Sequence, residues 1–414
     1  MLGTVKPDIG LYNIQDQNRG HIMNFHKRAE DSFGDDAYFY VAHMGLVHLF
    51  IEVKKDADQD IFIDPPEGPK PPKYKFTVDA LSVDGGLRTR ISALGQNAHY
   101  AHTVQSRQFR TCVFSLSISG SKARILRWDR SGVLVTEAFD HKADPQILID
   151  FVWRFVRAKD HQRGFDPTAA TVNSNEDRDL FRKAISSHVQ LQLGLDPETD
   201  EKELLNEIDR HYYPEAITRL TIGGSDVWVS RPLWQSHAIA GRCTAGYWGV
   251  LCDTREVVFV KDLWRTNVEE AELEGDILED LREKGVRHIP TVVCHGDVIG
   301  QGLIFPLMWL VPWLITSAEI PQTTRTDTFT NEPWVKSLHP QDARLRRILP
   351  RIHYRLVTDT AGYPLSTFAG SRELLKGTFD GFSGRKILLS SVHHSQCPPY
   401  SFDGCPREGR DPPP

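Results

Sequence analysis

The chain predicts an α+β protein with two folded units, and three observations carry that expectation. Short apolar segments separated by tight turns, FRTCVFSLSI (109–118), ARILRW (123–128) and VLVTE (133–137), read as an antiparallel meander. PQILIDFVWRFVRA (145–158) then sets Ile147, Ile149, Phe151, Val152 and Phe155 near helical spacing, which predicts a helix packed back on that sheet. After a polar, acidic stretch at 166–214, a second strand-rich unit runs from 217 to 368.

The composition supports real cores, since 40% of the 414 residues are hydrophobic. Wholesale disorder and a disulfide-stapled miniprotein are excluded. With 49 Lys+Arg against 55 Asp+Glu the net charge is -6, so no global basic field draws the chain to nucleic acid or anionic lipid. Six cysteines without a CxxC pair suit reduced thiols, and MLGTVKPDIGLY lacks the basic and apolar regions of a signal peptide. An intracellular location, cytoplasmic or nuclear, is expected.

In chain order, GLVHLFI (45–51) reads as a central strand that ends in Glu52-Val53-Lys54. DPPEGPKPPKYK (64–75) is a proline-rich surface loop, and a helix is expected over 92–105. The acidic stretch holds helices around 177–192 and 202–212 and connects the two units. Residues 298–318 carry no charge, a length that would allow a membrane span, but Pro306 and Pro312 interrupt the run and Gly300 and Gly302 open it. It is read as a buried or aberrant insertion. From 381 to the three terminal prolines little order is expected. The expected organisation is 1–165, a helical connector 166–214, a second unit 215–380 with an apolar insert at 298–321, and a tail 381–414.

The second unit carries a recognisable chemistry. GRCTAGYWGV, containing Gly241, Gly246 and Val250, precedes VVFVK, a strand ending in Lys261. Glycines let backbone N–H groups approach the phosphates of ATP, while a strand lysine contacts the α and β phosphates and pairs with a helix glutamate. Glu274, 13 residues after Lys261, opens a segment in which Ile277, Leu278 and Leu281 form one stripe, and it is the expected partner. Cys243 stands where the second glycine of such a loop would be. Each piece has a plainer reading: a hairpin turn, a surface lysine, a solvated acidic face.

The segments GRCTAGYWGV, VVFVKDLWR, ELEGDILEDL, GVRHIPTVVCHGDV, HYRLV and PLSTFAGSRELL, in that order, resemble the fungal-type protein kinase family, as does QSRQFRTCVFSLSISGSKARILRWDRSGVLV upstream. The resemblance implies a protein-kinase-like N-lobe, ATP as nucleotide, Lys261 as its phosphate contact, Glu274 as the partner of Lys261, a strand and hinge over 354–368, and phosphorylation of protein Ser/Thr. The catalytic His-Arg-Asp loop and the Asp-Phe-Gly metal segment that should follow are not found, and 34 residues remain after Asp380 where a C-lobe should be. The chain is therefore expected to be a truncated member, inactive in phosphoryl transfer. His295-Gly296-Asp297 does not replace the missing loop, because Gly302 stands where a metal-binding Asn is required and Asp297 is only 36 residues beyond Lys261. Phe402-Asp403-Gly404 has the wrong order for the metal segment.

Near the N-terminus, Pro7-Asp8 followed by Glu52-Val53-Lys54 resembles the PD-(D/E)xK nuclease superfamily, which implies a nuclease-like mixed-sheet domain. Residues i and i+2 of a strand share a face, so Glu52 and Lys54 project together and Asp8 from a neighbouring strand completes the set. Two carboxylates would hold Mg²⁺ while Lys54 orients a water, with Gln96 and Tyr100 on the same side. The plainer reading is an inherited fold with a structural site.

Three function classes follow: a kinase-like protein, a Mg-dependent nuclease-like or nucleic-acid-binding protein, and a pseudokinase that binds a protein partner. His393, His394, Cys397 and Cys405 fit no common zinc spacing. Trp128-Asp129-Arg130 is read as a hairpin turn in which Asp129 bonds local backbone, and Lys122, Arg124, Arg127 and Arg130 as a solvated basic face.

Overall fold

The computed structural model describes residues 7–13, 43–66, 77, 85–268, 271–301, 319–326, 349–364, 368 and 370–392. The chain divides into two compact units, residues 1–275 with 292–362, and residues 276–291 with 363–414. The larger one is built on two sheets.

The first sheet is centred on β2 (Val47–Lys54), whose apolar run is long enough for eight strand residues. Strand β1 (Ile9–Tyr12) pairs with it antiparallel, and β3 (Val113–Ser119) lies parallel on its other side. A parallel pair needs a crossover, and helix α1 (Gly85–Arg107) lies within it, starting earlier than the expected 92. Strands β4 (Lys122–Asp129) and β5 (Gly132–Val135) complete the meander, and the short β6 (Phe139–Asp140) pairs with β4. Phe50, Val113 and Leu126 form one core with Tyr100, Ala101 and Val104 of α1.

Helix α2 (Gln146–Arg157) covers the opposite face, where Leu148, Phe151 and Phe155 meet Leu49 and Leu116. The inward stripe is therefore i, i+3 and i+7 from Leu148. Ile147 and Ile149, expected on the packed face, fall outside that stripe and are 42% and 55% exposed.

Arg124 of β4 and Arg130 just after it also depart from expectation. Arg124 is buried, its guanidinium shared between Asp60 at 2.7 Å and Asp64 at 2.6 Å, and Arg130 is buried against Gln105. They are internal ties rather than a solvated face. Asp129 accepts from the Ser131 backbone N–H, closing the local turn, and also from the N–H groups of Arg325 and Thr326, almost two hundred residues on.

The second sheet has seven strands in the order β12-β15-β11-β10-β9-β8-β7. These are β7 (Ala169–Thr171), β8 (Thr218–Ile222), β9 (Ser225–Gln235), β10 (Ala245–Leu251), β11 (Val257–Thr266), β12 (Val292–Asp297) and β15 (Arg351–Thr358). All the pairings are antiparallel. Strand β7, from the polar stretch expected to be a helical connector, forms an edge of this sheet, and helices α3 (Asn175–Leu193) and α4 (Glu201–His211) lie between β7 and β8 in the chain. Strands β13 (Ile299–Gln301) and β14 (Glu319–Pro321) pair antiparallel at the two ends of the uncharged run, whose residues 302–318 lie outside the described residues. Among the described residues no helix is long and apolar enough to cross a membrane.

Helix α5 (Glu274–Glu283) begins in the larger unit and continues into the smaller one, which also holds α6 (Ser371–Val392). The backbone beyond Gly381 is thus helical as far as Val392, correcting the expectation of little order there. The physical reason is the absence of proline from 371 to 392. The His and Cys residues from 393 to 405, and the Phe402-Asp403-Gly404 segment, lie outside the described residues.

Buried charge locks the second sheet to the segment that leads into β7, whose Asp166 N–H also donates to the Phe109 carbonyl ahead of β3. Arg355 of β15 is fully buried and bonds Asp166 at 2.5 Å, Asp262 of β11 at 2.8 Å and the Thr168 hydroxyl at 2.7 Å. His353 bridges Asp262 and Gln322, each at 2.8 Å, and stacks on Trp264. Burial pushes the carboxyls of Asp166 and Asp262 up, but the attraction of Arg355 and His353 outweighs it and holds both below the usual carboxylate range. Removing one member leaves buried charge uncompensated. Arg355→Met is expected to lower unfolding free energy by about 3–5 kcal/mol in urea titrations; a loss under about 1 kcal/mol would show that the network is not holding the fold.

Candidate functional site

Lys261 and Glu274 meet. Lys261 lies near the middle of β11, opposite Gly246 of β10 and Leu356 of β15. Its Nζ donates to both carboxylate oxygens of Glu274, at 2.6 and 2.7 Å. The contact depends on Gly275, because a Cβ there would come within 2.1 Å of the His295 ring. The bare backbone lets Gly275 lie against His295 of β12, and the Gly275 N–H donates to the Tyr354 hydroxyl at 2.9 Å. Arg242 adds a second cation 3.9 Å from Glu274.

The glycine-containing segment divides between a loop and a strand. Gly241 and Cys243 lie in the connection between β9 and β10, whereas Gly246 and Val250 are strand residues. Gly241 has φ +117° and Cys243 φ +43°, so a side chain occupies left-handed backbone at the position where glycine was expected. Two adjacent residues pin the connection: the Gly241 N–H donates to the Arg130 carbonyl, and the Arg242 carbonyl accepts from Trp264 N–H. Gly246 has its own steric reason, since a Cβ would approach Trp234 to 2.8 Å and Phe259 to 2.9 Å.

Cross-strand partners share a face. The pairs Gly246 with Lys261 and Trp248 with Phe259 therefore put Trp248 and Phe259 on the same face as Lys261, one step along the sheet. That step is covered. Phe181, Ile185 and Val189 of α3 and Leu204, Ile208 and His211 of α4 form buried stripes, and the two helices pack over β9, β10 and β11. The His211 ring stacks on fully buried Trp248 at 3.8 Å and 6°, and His188 meets Trp248 edge-on at 4.8 Å. His188 Nε2 donates to the Ala361 carbonyl at 2.7 Å, beyond the end of β15. Sequence reasoning missed His188, His211 and Trp248; the one available signal was a histidine inside each otherwise apolar helix stripe.

Asp297 is not free for chemistry. Arg265 Nε and Nη2 hold both of its oxygens, at 2.8 and 2.7 Å, across β12 and β11.

At the N-terminal corner, Asp8, Glu52, Lys54 and Gln96 converge. Phe50, Glu52 and Lys54 alternate on the face of β2 that meets α1. Lys54 Nζ donates to Glu52 and, at 2.8 Å, to Gln96 Oε1. Asp8 Oδ2 accepts from the Val53 N–H at 2.7 Å. Burial, reinforced by the charge of Asp8, raises the Glu52 carboxyl against the opposing pull of Lys54. Burial, with Glu52 and Asp8 nearby, pushes the Tyr100 phenol up to about 12. The Glu52 carboxylate beside Lys54 on β2 and the Asp8 carboxylate just before β1 are hard oxygen donors of the kind that Mg²⁺ takes.

His211 supplies a pH test of the helix packing. Burial first, then the charges of His188 and Arg210, lowers its pKa from 6.5 to about 4. The unfolded chain takes up this proton below pH 6.5 and the folded chain only near pH 4, so stability is full at neutral pH and falls as the solution is acidified. Between pH 7 and pH 5 the wild type is expected to lose about 2 kcal/mol more than His211→Phe in urea titrations. Parallel pH profiles would contradict a buried neutral imidazole.

The fungal protein kinase family model matches residues 78–394, about three quarters of the chain. No curated protein and no solved structure matches it.

Proposed function

The chain belongs to the fungal protein kinase family, and from that premise we propose that the sheet around β9, β10, β11 and β15 is its nucleotide-facing part. Lys261, oriented by Glu274, is the group that contacts the phosphates of ATP, with Gly241 in the adjoining connection. The family reaction is phosphoryl transfer from ATP to protein Ser/Thr. What carries this reading is the two-bond contact between Lys261 and Glu274, the arrangement a kinase uses to hold its phosphate-binding lysine.

These residues do not complete transfer by themselves. A base that accepts the substrate hydroxyl proton and an Asp that holds Mg²⁺ are both required. The sequence contains neither a His-Arg-Asp nor an Asp-Phe-Gly segment, and Asp297 is occupied by Arg265. The chain therefore acts as a pseudokinase-like module. With labelled ATP and a general protein acceptor, wild type and Lys261→Met are expected to transfer equally little phosphate. Transfer by the wild type that disappears in Lys261→Met would overturn the inactivity.

The N-terminal corner supports a second reading, because Glu52, Lys54 and Gln96 are joined by hydrogen bonds beside Asp8. Asp8, Glu52 and Lys54 lie outside the family match, which begins at residue 78, so they need their own account. Asp8 and Glu52 would hold Mg²⁺, and Lys54 would orient a water for phosphodiester attack; the ion's part is to polarise the phosphate and lower the pKa of that water. On a nuclease reading the chain nicks DNA with Mg²⁺, and Glu52→Ala abolishes the nicking. Nicking that persists in Glu52→Ala, or none by the wild type, would leave the corner structural.

A further inference from the structure

The α3–α4 hairpin covers the face of the sheet on which Lys261 lies. A nucleotide whose phosphates reach Lys261 is tethered to that face. Its base must lie within a nucleoside's length, over the neighbouring positions of the same strands. Those positions are Trp248 and Phe259, about 7 Å along the sheet from Gly246 and Lys261. Trp248 is fully buried beneath the stacked His211 ring, and His188 reaches past it to the Ala361 carbonyl. A flat aromatic ring stacked on Trp248 and a ring nitrogen bonded to backbone beyond β15 are interactions that a purine could make in the same place.

The attachment of the hairpin lets it leave without dismantling the sheet. Its ends join the edge strand β7 and its antiparallel neighbour β8, where Thr171 is opposite Thr218 and the Val172 N–H donates to the Ile217 carbonyl. Both helices therefore form one excursion from a closed base. Departure separates the apolar stripes and the two histidine rings from the sheet and breaks no hydrogen bond of the strand ladder.

We infer that the α3–α4 hairpin and the base of ATP compete for one place, so that in this fold the chain presents a phosphate-binding lysine beside a base site closed by its own hairpin. This rests on the nucleotide-facing reading of Lys261. Departure of the hairpin is the step that admits ATP.

The full chain is titrated with Mg-ATP and with Mg-tripolyphosphate, which has phosphates but no base. The wild type is expected to bind the two within a factor of about three, and Lys261→Met to lose tripolyphosphate. The double variant His188→Ala, His211→Ala is expected to gain about tenfold for Mg-ATP, equivalent to about 1.4 kcal/mol, with tripolyphosphate unchanged. Should that variant fold poorly, hydrogen exchange of the wild type decides: saturating Mg-ATP speeds exchange of amides 181–211. Mg-ATP binding at least tenfold tighter than tripolyphosphate with exchange at 181–211 unchanged would overturn the competition while leaving Lys261 in its role. Tripolyphosphate binding that is absent, or indifferent to Lys261→Met, would remove the nucleotide reading and the inference with it.

Discussion

Arg355 is the constraint on which the larger unit depends. It is a fully buried cation whose three hydrogen-bonded partners come from two places in the chain: Asp166 and Thr168 just before β7, and Asp262 on β11. A guanidinium has five donors in a fixed planar fork, so it can be desolvated only where acceptors are set at matching positions. Once those acceptors are in place, the segment after the first sheet cannot shift relative to β11 and β15. Phe109 packs where this happens, against Tyr247 and beneath the Arg355 guanidinium, and it extends the apolar core of the second sheet toward the first.

The site inherits its precision from this arrangement. Asp262 and Lys261 are neighbours on β11 and point to opposite faces. Asp262 is fixed by Arg355 and His353 on the buried side, so Lys261 is presented on the other side without freedom to rotate the strand. Gly275 then lets its own backbone lie close enough to His295 for Glu274 beside it to reach Lys261. One face of the sheet is committed to structure and the other carries the Lys261–Glu274 pair together with the hairpin.

Much of the architecture was legible because it rests on local pattern. The meander over 109–137 has alternating apolar residues and turn signals, and the helices of the acidic stretch have stripes at helical spacing. The Lys261 and Glu274 positions were legible from order and spacing. The internal roles of Arg124, Arg130 and Arg355 were not, because a charged residue in a strand looks the same whether its partners are water or an aspartate 60 or 189 positions away. The one trace was a charge inside an otherwise apolar strand, as in HYRLV and VVFVKDLWR. The face chosen by the α3–α4 hairpin was likewise hidden, since an amphipathic stripe shows that a helix is buried and is silent on what it covers.

Buried charge thus fixes β11 and β15 to the segment that follows the first sheet, and on this account the two sheets of the larger unit open as one cooperative body. Native-state hydrogen exchange tests this most directly. Amides of β3 and β4 in the first sheet and of β11 and β15 in the second should open with the same free energy and the same denaturant dependence. Separate opening energies, with one sheet exchanging while the other stays protected, would show that the Asp166, Arg355 and Asp262 network joins two independent folds and does not govern either.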